Sequence, residues 1–212
     1  MCIVGIPYML FTNRSDAARQ LIPLLERYAN DDVALLAIPR GAVPMGRIIA
    51  DHFRWPLSII LVKKVGHPSN PEYAIGAVAL NASFIEEGHT DVSNEERELA
   101  VAKAQATLRE RAVRFLGNRT QPELHGRTVI IIDDGIATGS TIRAAIHVVQ
   151  SQRPRRIVVA TPVAASSTVE LLRSIVDEMI VLRSYPSFTA VGDYYEDFPQ
   201  VSDAEVVEAL KR

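Results

Sequence analysis

Two adjacent carboxylates follow a run of aliphatic residues near the middle of this chain. The segment Val129–Ile132 consists of β-branched residues, which are typical of a fully buried strand, and Asp133 and Asp134 come directly after it. In open α/β sheets, ligands bind beyond the carboxyl ends of the strands. The pair is therefore predicted to lie at a ligand-binding edge. A helical pattern follows, with these apolar residues on one face: Ile142, Ala145, Ile146 and Val149.

The turn between the acids and this helix suits a phosphate group. It contains Thr138, Gly139, Ser140 and Thr141, which bring hydroxyl donors to the first turn of the helix. Free N–H groups and the positive dipole end of a helix favour an anion. Carboxylates accept hydrogen bonds from vicinal sugar hydroxyls, so the acids and the turn together predict a sugar-phosphate site. A Walker A loop is excluded, because only three residues separate Gly135 from Gly139 and no lysine follows.

This run resembles the motif that binds phosphoribosyl pyrophosphate (PRPP) in the type I phosphoribosyltransferases. All thirteen positions from Val129 to Thr141 fit the family pattern of aliphatic residues, two acids and a small-residue turn. The resemblance implies PRPP as donor and Mg²⁺ as cofactor, with Asp133 and Asp134 holding the ribose hydroxyls directly or through the metal. It implies that five residues hold the 5′-phosphate: Ala137, Thr138, Gly139, Ser140 and Thr141.

The residues after the first buried segment form a second candidate anion site. Arg40 and Gly41 follow the apolar run Val33–Ile38 and lead into a helical pattern. Arginine binds phosphate through a bidentate fork, and glycine permits close approach of the backbone. Alone, such a turn is more often an ordinary surface turn. Beside the acid motif it resembles the family's pyrophosphate loop, which implies that Arg40 and Gly41 contact pyrophosphate and that the Pro39–Arg40 peptide is cis, or becomes cis with ligand.

A third segment joins two predicted strands through a loop of Gly, Pro, Ser and Asn. It resembles the family's mobile closing loop, in the form carried by a stand-alone branch whose acceptor is not generally established. The resemblance implies pyrophosphate contacts from Lys63 and Lys64, although members of that branch often have Arg in place of Lys63. Glu72, between Pro71 and the return strand, is a candidate general base; the alternative is a solvated carboxylate or one paired with a lysine. Arg40, Lys64 and Glu72 are the candidate catalytic residues.

The C-terminal segment 188–198 is aromatic and acidic without a helical period. It faintly resembles the base-recognition hood of the purine branch, which implies acceptor contacts from Phe188 and Asp193. A packed flap with core aromatic residues is the equal alternative. In the branch that uses hypoxanthine or guanine, an acid stands where this chain has Ala137, so a 6-oxopurine acceptor is disfavoured.

Strand and helix patterns alternate along the chain, which predicts a mainly parallel α/β sheet, and the family resemblance implies a type I phosphoribosyltransferase-like fold. We expect a mainly parallel five-stranded sheet flanked by helices. We also expect one domain over 1–212, with a small hood contributed by about 1–12 and 184–212. Strands are predicted at 33–38, 57–65, 74–80, 83–86, 128–132, 157–161 and 179–182. Helices are predicted at about 15–28, 41–52, 93–116, 140–152, 167–176 and 203–210.

Composition narrows the classes of partner. The net charge of −2 over 212 residues gives no electrostatic case for nucleic acid or an anionic membrane. A single cysteine excludes an internal disulfide framework and a cysteine-based zinc site. No apolar run is long enough to span a bilayer. We therefore expect a cytoplasmic protein. The family resemblance implies PRPP and an unidentified acceptor as its partners, and we also expect a homodimer.

Three functions stay open at this point. The first is transfer of 5-phosphoribosyl from PRPP to a nitrogen nucleophile, with release of pyrophosphate. The second is a regulatory protein that binds PRPP or a nucleotide without turnover. The third is a hydrolase that uses water as acceptor. An assay of PRPP turnover separates the first from the second.

Overall fold

Strands and helices alternate as the sequence patterns predict. The computed structural model describes residues 11–80, 83–85 and 92–211, and only the backbone of 70–74. The strands in these residues are β1 (Val33–Ala37), β2 (Leu57–Ile59), β3 (Lys63–His67), β4 (Asn70–Val78), β5 (Ser83–Ile85), β6 (Thr128–Ile132), β7 (Arg156–Ala165) and β8 (Glu178–Tyr185). The α-helices there are α1 (Arg14–Leu25), α2 (Ala42–Phe53), α3 (Asn94–Leu116), α4 (Ser140–Gln150), α5 (Ser166–Arg173) and α6 (Asp203–Leu210).

The main sheet has five parallel strands in the order β2-β1-β6-β7-β8. This confirms the predicted sheet. β1 and β6 are neighbours in register, with Val33 opposite Thr128 and Ala37 opposite Ile132. Because both strands run in the same direction, the loops that follow them leave the same edge side by side. The two anion-binding segments predicted from sequence are therefore adjacent in the fold.

Side chains alternate across this sheet into two apolar layers. Ile130 and Ile132 of β6 pack with buried residues of α1 and α2. Val129 and Ile131 point to the other face and pack with residues of α4 and α5. All five residues of β6 are buried. A strand covered on both faces is rigid, so it fixes the position of the acids that follow it.

The predicted strand 57–65 is in fact two strands in different sheets. β2 ends at Ile59, opposite Ala37, where its partner β1 also ends. Ile60 and Leu61 then pack into the two opposite core layers, and β3 begins a separate antiparallel sheet in the order β3-β4-β5. Ile60 and Leu61 are buried without belonging to a strand, and hydrophobicity alone does not distinguish such residues from a strand.

The second sheet lies between α3 and α4. Ala77 of β4 packs with Ala144 and Val148 of α4. The Phe84 ring stacks on His147, with ring centroids 4.3 Å apart. The predicted strands at 74–80 and 83–86 are thus confirmed as β4 and β5, although β4 begins earlier, at Asn70. None of the helices within the described residues combines the length and the hydropathy needed to cross a bilayer.

Ser93 caps α3, and this cap yields a stability prediction. Ser93 Oγ accepts from the Glu96 amide at 3.2 Å, and Glu96 Oε2 accepts from the Ser93 amide at 2.9 Å. Ser93→Ala leaves the helix N–H groups without this acceptor, so we expect the free energy of unfolding to fall by about 1 kcal/mol in urea denaturation. Ser93→Thr retains the hydroxyl and is the matched control. An equal loss in both variants would contradict the capping role.

Candidate functional site

The acid pair lies at the carboxyl end of β6, against the loop that follows β1. The Asp134 amide donates to Asp133 Oδ1 at 3.0 Å, which fixes the first carboxylate. A Cβ at Gly41 would lie 1.9 Å from Asp134 Oδ2, so only glycine allows the two loops to meet here. The peptide bond between Pro39 and Arg40 is cis, as predicted. The structure therefore brings together Gly41 and both acids.

Two side chains that sequence reasoning missed hold Asp134 in place. Arg14 Nε donates to Asp134 Oδ2 at 2.8 Å, and both side chains are nearly buried, at 11% and 15% exposure. The Tyr195 hydroxyl donates to the Asp134 carbonyl oxygen at 2.6 Å. The Arg14 guanidinium lies 3.6 Å from the centroid of the Phe198 ring and donates to the Pro199 carbonyl at 2.7 Å. Asp134 is thus joined through Arg14 and Tyr195 to the C-terminal segment.

Arg14 is positioned by the start of α1 and by strand-like pairing of the chain before it. Asn13 caps α1, which begins at Arg14, one residue before the predicted start, and its side chain accepts from the Asp16 amide at 3.0 Å. The Phe11 amide donates to the Tyr194 carbonyl at 3.2 Å, and the Glu196 amide donates to the Phe11 carbonyl at 2.9 Å. This pairing brings Arg14 to the acid motif from 120 positions away in sequence.

Burial and mutual repulsion shape the electrostatics of the acid pair. Burial raises the pKa of Asp133 well above its usual range, and the charge of Asp134 raises it further. Burial also raises the pKa of Asp134, while the hydrogen bond and charge of Arg14 oppose that rise. Burial raises the pKa of the Tyr195 phenol, and the charge of Asp134 raises it further. Tyr195 therefore stays protonated at neutral pH and remains a hydrogen-bond donor.

The turn after the acids leads directly into the N-terminus of α4. Gly139 has a φ of +72°, in the left-handed region, and α4 begins at the next residue. The Thr168 hydroxyl donates to the Ala137 carbonyl at 2.6 Å, which ties the turn to α5. Thr138 Oγ1 and Ser140 Oγ lie 3.3 Å apart. The turn therefore presents hydroxyl groups and the free amides of the α4 N-terminus at one edge of the sheet.

The predicted cationic residues make contacts away from the acids in this structure. Arg40 Nη1 lies 3.2 Å from Asp203 Oδ1 at the start of α6, and Arg114 Nη1 lies 2.9 Å from Asp203 Oδ2. Arg114 and, less strongly, Arg40 lower the pKa of Asp203. Lys63 Nζ donates to Thr107 Oγ1 of α3 at 3.2 Å.

The other two candidate residues, Lys64 and Glu72, lie on the hairpin formed by β3 and β4. Lys64 is exposed and lines, with Lys63, a cavity of about 410 Å³ between β3 and α3. Glu72 lies in β4, and its side chain is outside the described part of the structure.

The candidate acceptor residues lie in the C-terminal segment beside the acid motif. The Phe188 ring stacks on Tyr194, with centroids 4.8 Å apart, and is half-buried. Asp193 is exposed and accepts a hydrogen bond from the Thr189 hydroxyl. A Cβ at Gly135 would lie 2.3 Å from a Val191 methyl, so this segment directly abuts the residue after the acids.

The donor set of the acid pair fits a hard divalent cation. Mg²⁺ prefers oxygen ligands and binds through one or two carboxylates together with substrate phosphates and waters. Asp133 and Asp134 supply two carboxylates at one edge. No group of three or more potential ligands from His, Cys, Asp and Glu gathers among the described residues.

The buried charge at Asp133 gives a testable dependence of stability on pH. When folding raises the pKa of a carboxyl, that carboxyl stabilises the fold at pH values below its usual pKa, which is near 4. The stabilisation is lost as the pH rises through the raised pKa of the folded state. Asp133→Asn removes the titration but keeps an acceptor for the Asp134 amide. We expect its unfolding free energy to exceed that of the wild type at pH 8, by about 1.4 kcal/mol for each unit by which the pKa is raised.

The difference in unfolding free energy between Asp133→Asn and the wild type should shrink as the pH falls towards 4. Urea denaturation without ligand measures it. The exposed Asp197→Asn is the control and should show no such gain. A pH-independent difference between Asp133→Asn and the wild type would contradict the assignment.

Comparison with known proteins agrees with this geometry. The family model described as phosphoribosyl transferase domain matches residues 12–198. Two Mycobacterium tuberculosis proteins named "Putative phosphoribosyl transferase" are 37% identical over 210 residues, which are 96% of this chain and 47% of theirs. The chain thus spans about half the length of these curated relatives.

Solved structures show the same fold. The crystal structure of TT1426 from Thermus thermophilus has a TM-score of 0.86 and 36% identity, and covers 95% of this chain and 98% of that one. The crystal structure of a purine phosphoribosyltransferase from Pyrococcus horikoshii has a TM-score of 0.50 and 16% identity, and covers 88% of this chain and 87% of that one. At this identity the likeness supports the fold alone. On the family model and the 37% identity, this chain belongs to the phosphoribosyl transferase family.

Proposed function

We propose that this chain transfers the 5-phosphoribosyl group of PRPP to a nitrogen nucleophile, with Mg²⁺. The bond from ribose C1 to the pyrophosphate oxygen breaks, a bond from C1 to nitrogen forms, and pyrophosphate leaves. The observation that supports this best is the acid pair followed by the α4 N-terminus, at the carboxyl end of buried β6. Family membership supports the reaction class.

The donor is proposed to bind along the edge of the sheet. Asp133 and Asp134 would hold the ribose hydroxyls and serve as metal ligands, because carboxylate oxygens accept hydroxyl protons and suit Mg²⁺. The 5′-phosphate would lie in the turn formed by Ala137, Thr138, Gly139, Ser140 and Thr141. The family generally uses Mg²⁺ with PRPP, and the metal would neutralise phosphate charge on the donor.

Pyrophosphate is proposed to contact Arg40, Gly41, Lys63 and Lys64. Gly41 is already in close contact with the Asp134 carboxylate. Arg40 would exchange Asp203 for a phosphate oxygen. The Arg40 side chain is 37% exposed and the Asp203 side chain is 33% exposed. Exposed pairs contribute about 0–1 kcal/mol, so the exchange costs little.

Catalysis would depend on position and charge rather than on covalent chemistry with the protein. Positive charge develops on the ribose ring and negative charge on the leaving pyrophosphate. Fixed carboxylates beneath the ring and cations beside the leaving group stabilise both, provided that they are held in advance. The contacts of Arg14 and Tyr195 with Asp134 supply this fixed geometry on the carboxylate side.

The acceptor is proposed to bind beside the C-terminal segment, at Phe188 and Asp193. The exposed Asp193 carboxylate is an acceptor for an amino group, and a half-buried ring such as Phe188 can pack on a planar ligand. Val191 packs against Gly135, and this contact supports an acceptor position beside the proposed ribose site.

The proposal is tested by pyrophosphate release from PRPP and Mg²⁺ across a panel of purines, pyrimidines and small amines. Release that requires one acceptor class confirms a transferase and identifies its substrate. Release with water alone would instead identify a hydrolase. PRPP binding without release under any condition would contradict catalysis and favour a regulatory protein.

Replacing both acids tests the donor site. The double variant Asp133→Asn/Asp134→Asn keeps side-chain size but removes two charged acceptors. Hydrogen bonds to charged groups contribute about 1.5–3 kcal/mol each, so we expect PRPP–Mg²⁺ binding to weaken by several kcal/mol in calorimetry. The exposed Asp197→Asn should bind as the wild type does. Unchanged affinity in the double variant would remove the acid pair from the site.

Replacing Glu72 tests the proposed general base. Ala137 leaves the phosphate motif without a proton acceptor, and Glu72 lies near the start of β4, beside the β3–β4 turn proposed to close over the reaction. General acid–base help is worth about 10²–10⁴-fold, so Glu72→Gln should lower kcat by that factor and leave PRPP affinity unchanged. Glu123→Gln, an exposed substitution after α3, is the control. A kcat within about twofold of wild type would exclude Glu72 and direct attention to Asp193.

A further inference from the structure

Asp203, at the start of α6, lies between two arginines from distant parts of the chain. Its Oδ1 accepts a hydrogen bond from Arg40 Nη1 at 3.2 Å, and its Oδ2 accepts one from Arg114 Nη1 at 2.9 Å. Arg40 belongs to the loop after β1, and Arg114 lies in the last turn of α3. Each carboxylate oxygen therefore has its own guanidinium partner. We call these three residues the Asp203 bridge.

The Asp203 bridge gives Arg40 an anionic partner within the protein. Hydrogen bonds from Arg114 and from Arg40 lower the pKa of Asp203, so its side chain is an anion at neutral pH. Arginine keeps its positive charge in proteins. The Arg40 side chain is half-buried, and a partly desolvated cation is costly without an anion beside it. Asp203 meets this need from a different element of the fold.

Helix α6 does not depend on the bridge for its start or its packing. The Ser202 side chain accepts from the Glu205 amide at 3.2 Å, and Glu205 Oε2 accepts from the Ser202 amide at 2.8 Å, which caps the helix. Val206 and Leu210 pack its apolar side into the core. Neither the cap nor these apolar contacts use the Asp203 carboxylate, so its charge is available for a role at Arg40.

Asp203 and pyrophosphate are anions that would use the same guanidinium. Arginine binds phosphate best through a bidentate fork, in which two N–H groups donate to two oxygens. Arg40 Nη1 already donates to Asp203, so the fork that uses both terminal nitrogens is incomplete while the bridge is formed. Two anions beside one cation also repel each other. Binding of one is therefore expected to displace the other.

We propose that Asp203 competes with pyrophosphate for Arg40 and thereby promotes release of this product. This role of Asp203 rests on the proposed function, since Arg40 is taken there as a pyrophosphate contact. When pyrophosphate binds, Arg40 turns away from Asp203, and when pyrophosphate leaves, Asp203 accepts from the guanidinium again. Differences in affinity between related complexes arise mostly in the dissociation rate, so a competing carboxylate shortens the lifetime of bound pyrophosphate.

Arg114 is the positioning residue of the bridge. It donates to the second carboxylate oxygen, so Asp203 keeps a cationic partner after Arg40 has turned to pyrophosphate. The Asp203 charge then remains partly neutralised and repels the ligand less. The carboxylate also stays close to the loop after β1, where it can accept from Arg40 again.

A double-mutant cycle on Arg40 and Asp203 tests the competition, by calorimetric titration of pyrophosphate in the presence of Mg²⁺. Asp203→Asn keeps the side-chain size and removes the competing charge. Since exposed ion pairs are weak, we expect this variant to bind pyrophosphate about two- to fivefold more tightly than the wild type. A gain in affinity cannot come from damage to the fold. The exposed Asp197→Asn makes the same change of charge and should bind as the wild type does.

Arg40→Gln removes the guanidinium that both anions would use. We expect it to weaken binding about tenfold, because a hydrogen bond from a charged group is lost. The proposed contacts from Gly41, Lys63 and Lys64 remain and keep the binding measurable. In Arg40→Gln/Asp203→Asn, the gain produced by Asp203→Asn should disappear, since no guanidinium is left to compete for.

An unchanged affinity in Asp203→Asn would overturn the competition. The same gain with and without Arg40 would overturn it as well, because it would show direct repulsion between Asp203 and the ligand. Either result leaves the proposed function standing. A wild-type protein that binds no pyrophosphate with Mg²⁺ would overturn both, because Arg40 would then have no pyrophosphate to contact.

Discussion

Two neighbouring carboxylates, Asp133 and Asp134, lie close together in a largely buried position at the end of a parallel strand. Burying their charge costs free energy, and other residues of the site offset this cost. A buried charge is unfavourable unless it is paired or hydrogen-bonded. Arg14 supplies the countercharge to Asp134, and Tyr195 fixes the backbone at the same residue. Both partners come from segments next to the ends of the described chain. The docking of those segments on the sheet is thus coupled to the electrostatics of the acid pair.

The proposed site combines a rigid part with a surface part. The proposed donor side consists of the ends of β1 and β6 and the N-terminus of α4, all held by the double-layered core. The proposed acceptor side is a surface segment in which Val191 packs against Gly135 and aromatic rings stack on Tyr194. A segment of this kind tolerates change more readily than a core strand.

The elements of the acid motif could be predicted from the sequence because their signals are local. The strand, the acids, the turn and the helix follow one another, so periodicity and chain order identify them together. Arg14 could not be found this way, because its contact with Asp134 spans 120 positions and no nearby residue marks it. The break between β2 and β3 was missed because the buried residues Ile60 and Leu61 look the same in the sequence whether or not they are paired. The partners of Arg40 and Lys63, on α6 and α3, likewise depend on tertiary packing.

The most direct test of this account is a titration of the ¹⁵N-labelled chain with ribose 5-phosphate, followed by backbone amide NMR. This ligand carries the two features that the site is proposed to bind, the vicinal hydroxyls and the 5′-phosphate, and it undergoes no transfer. The account predicts that the largest shifts fall on the amides of residues 137–141, with smaller ones at Asp133 and Asp134. Saturable shifts that fall elsewhere and leave these amides unmoved would contradict it.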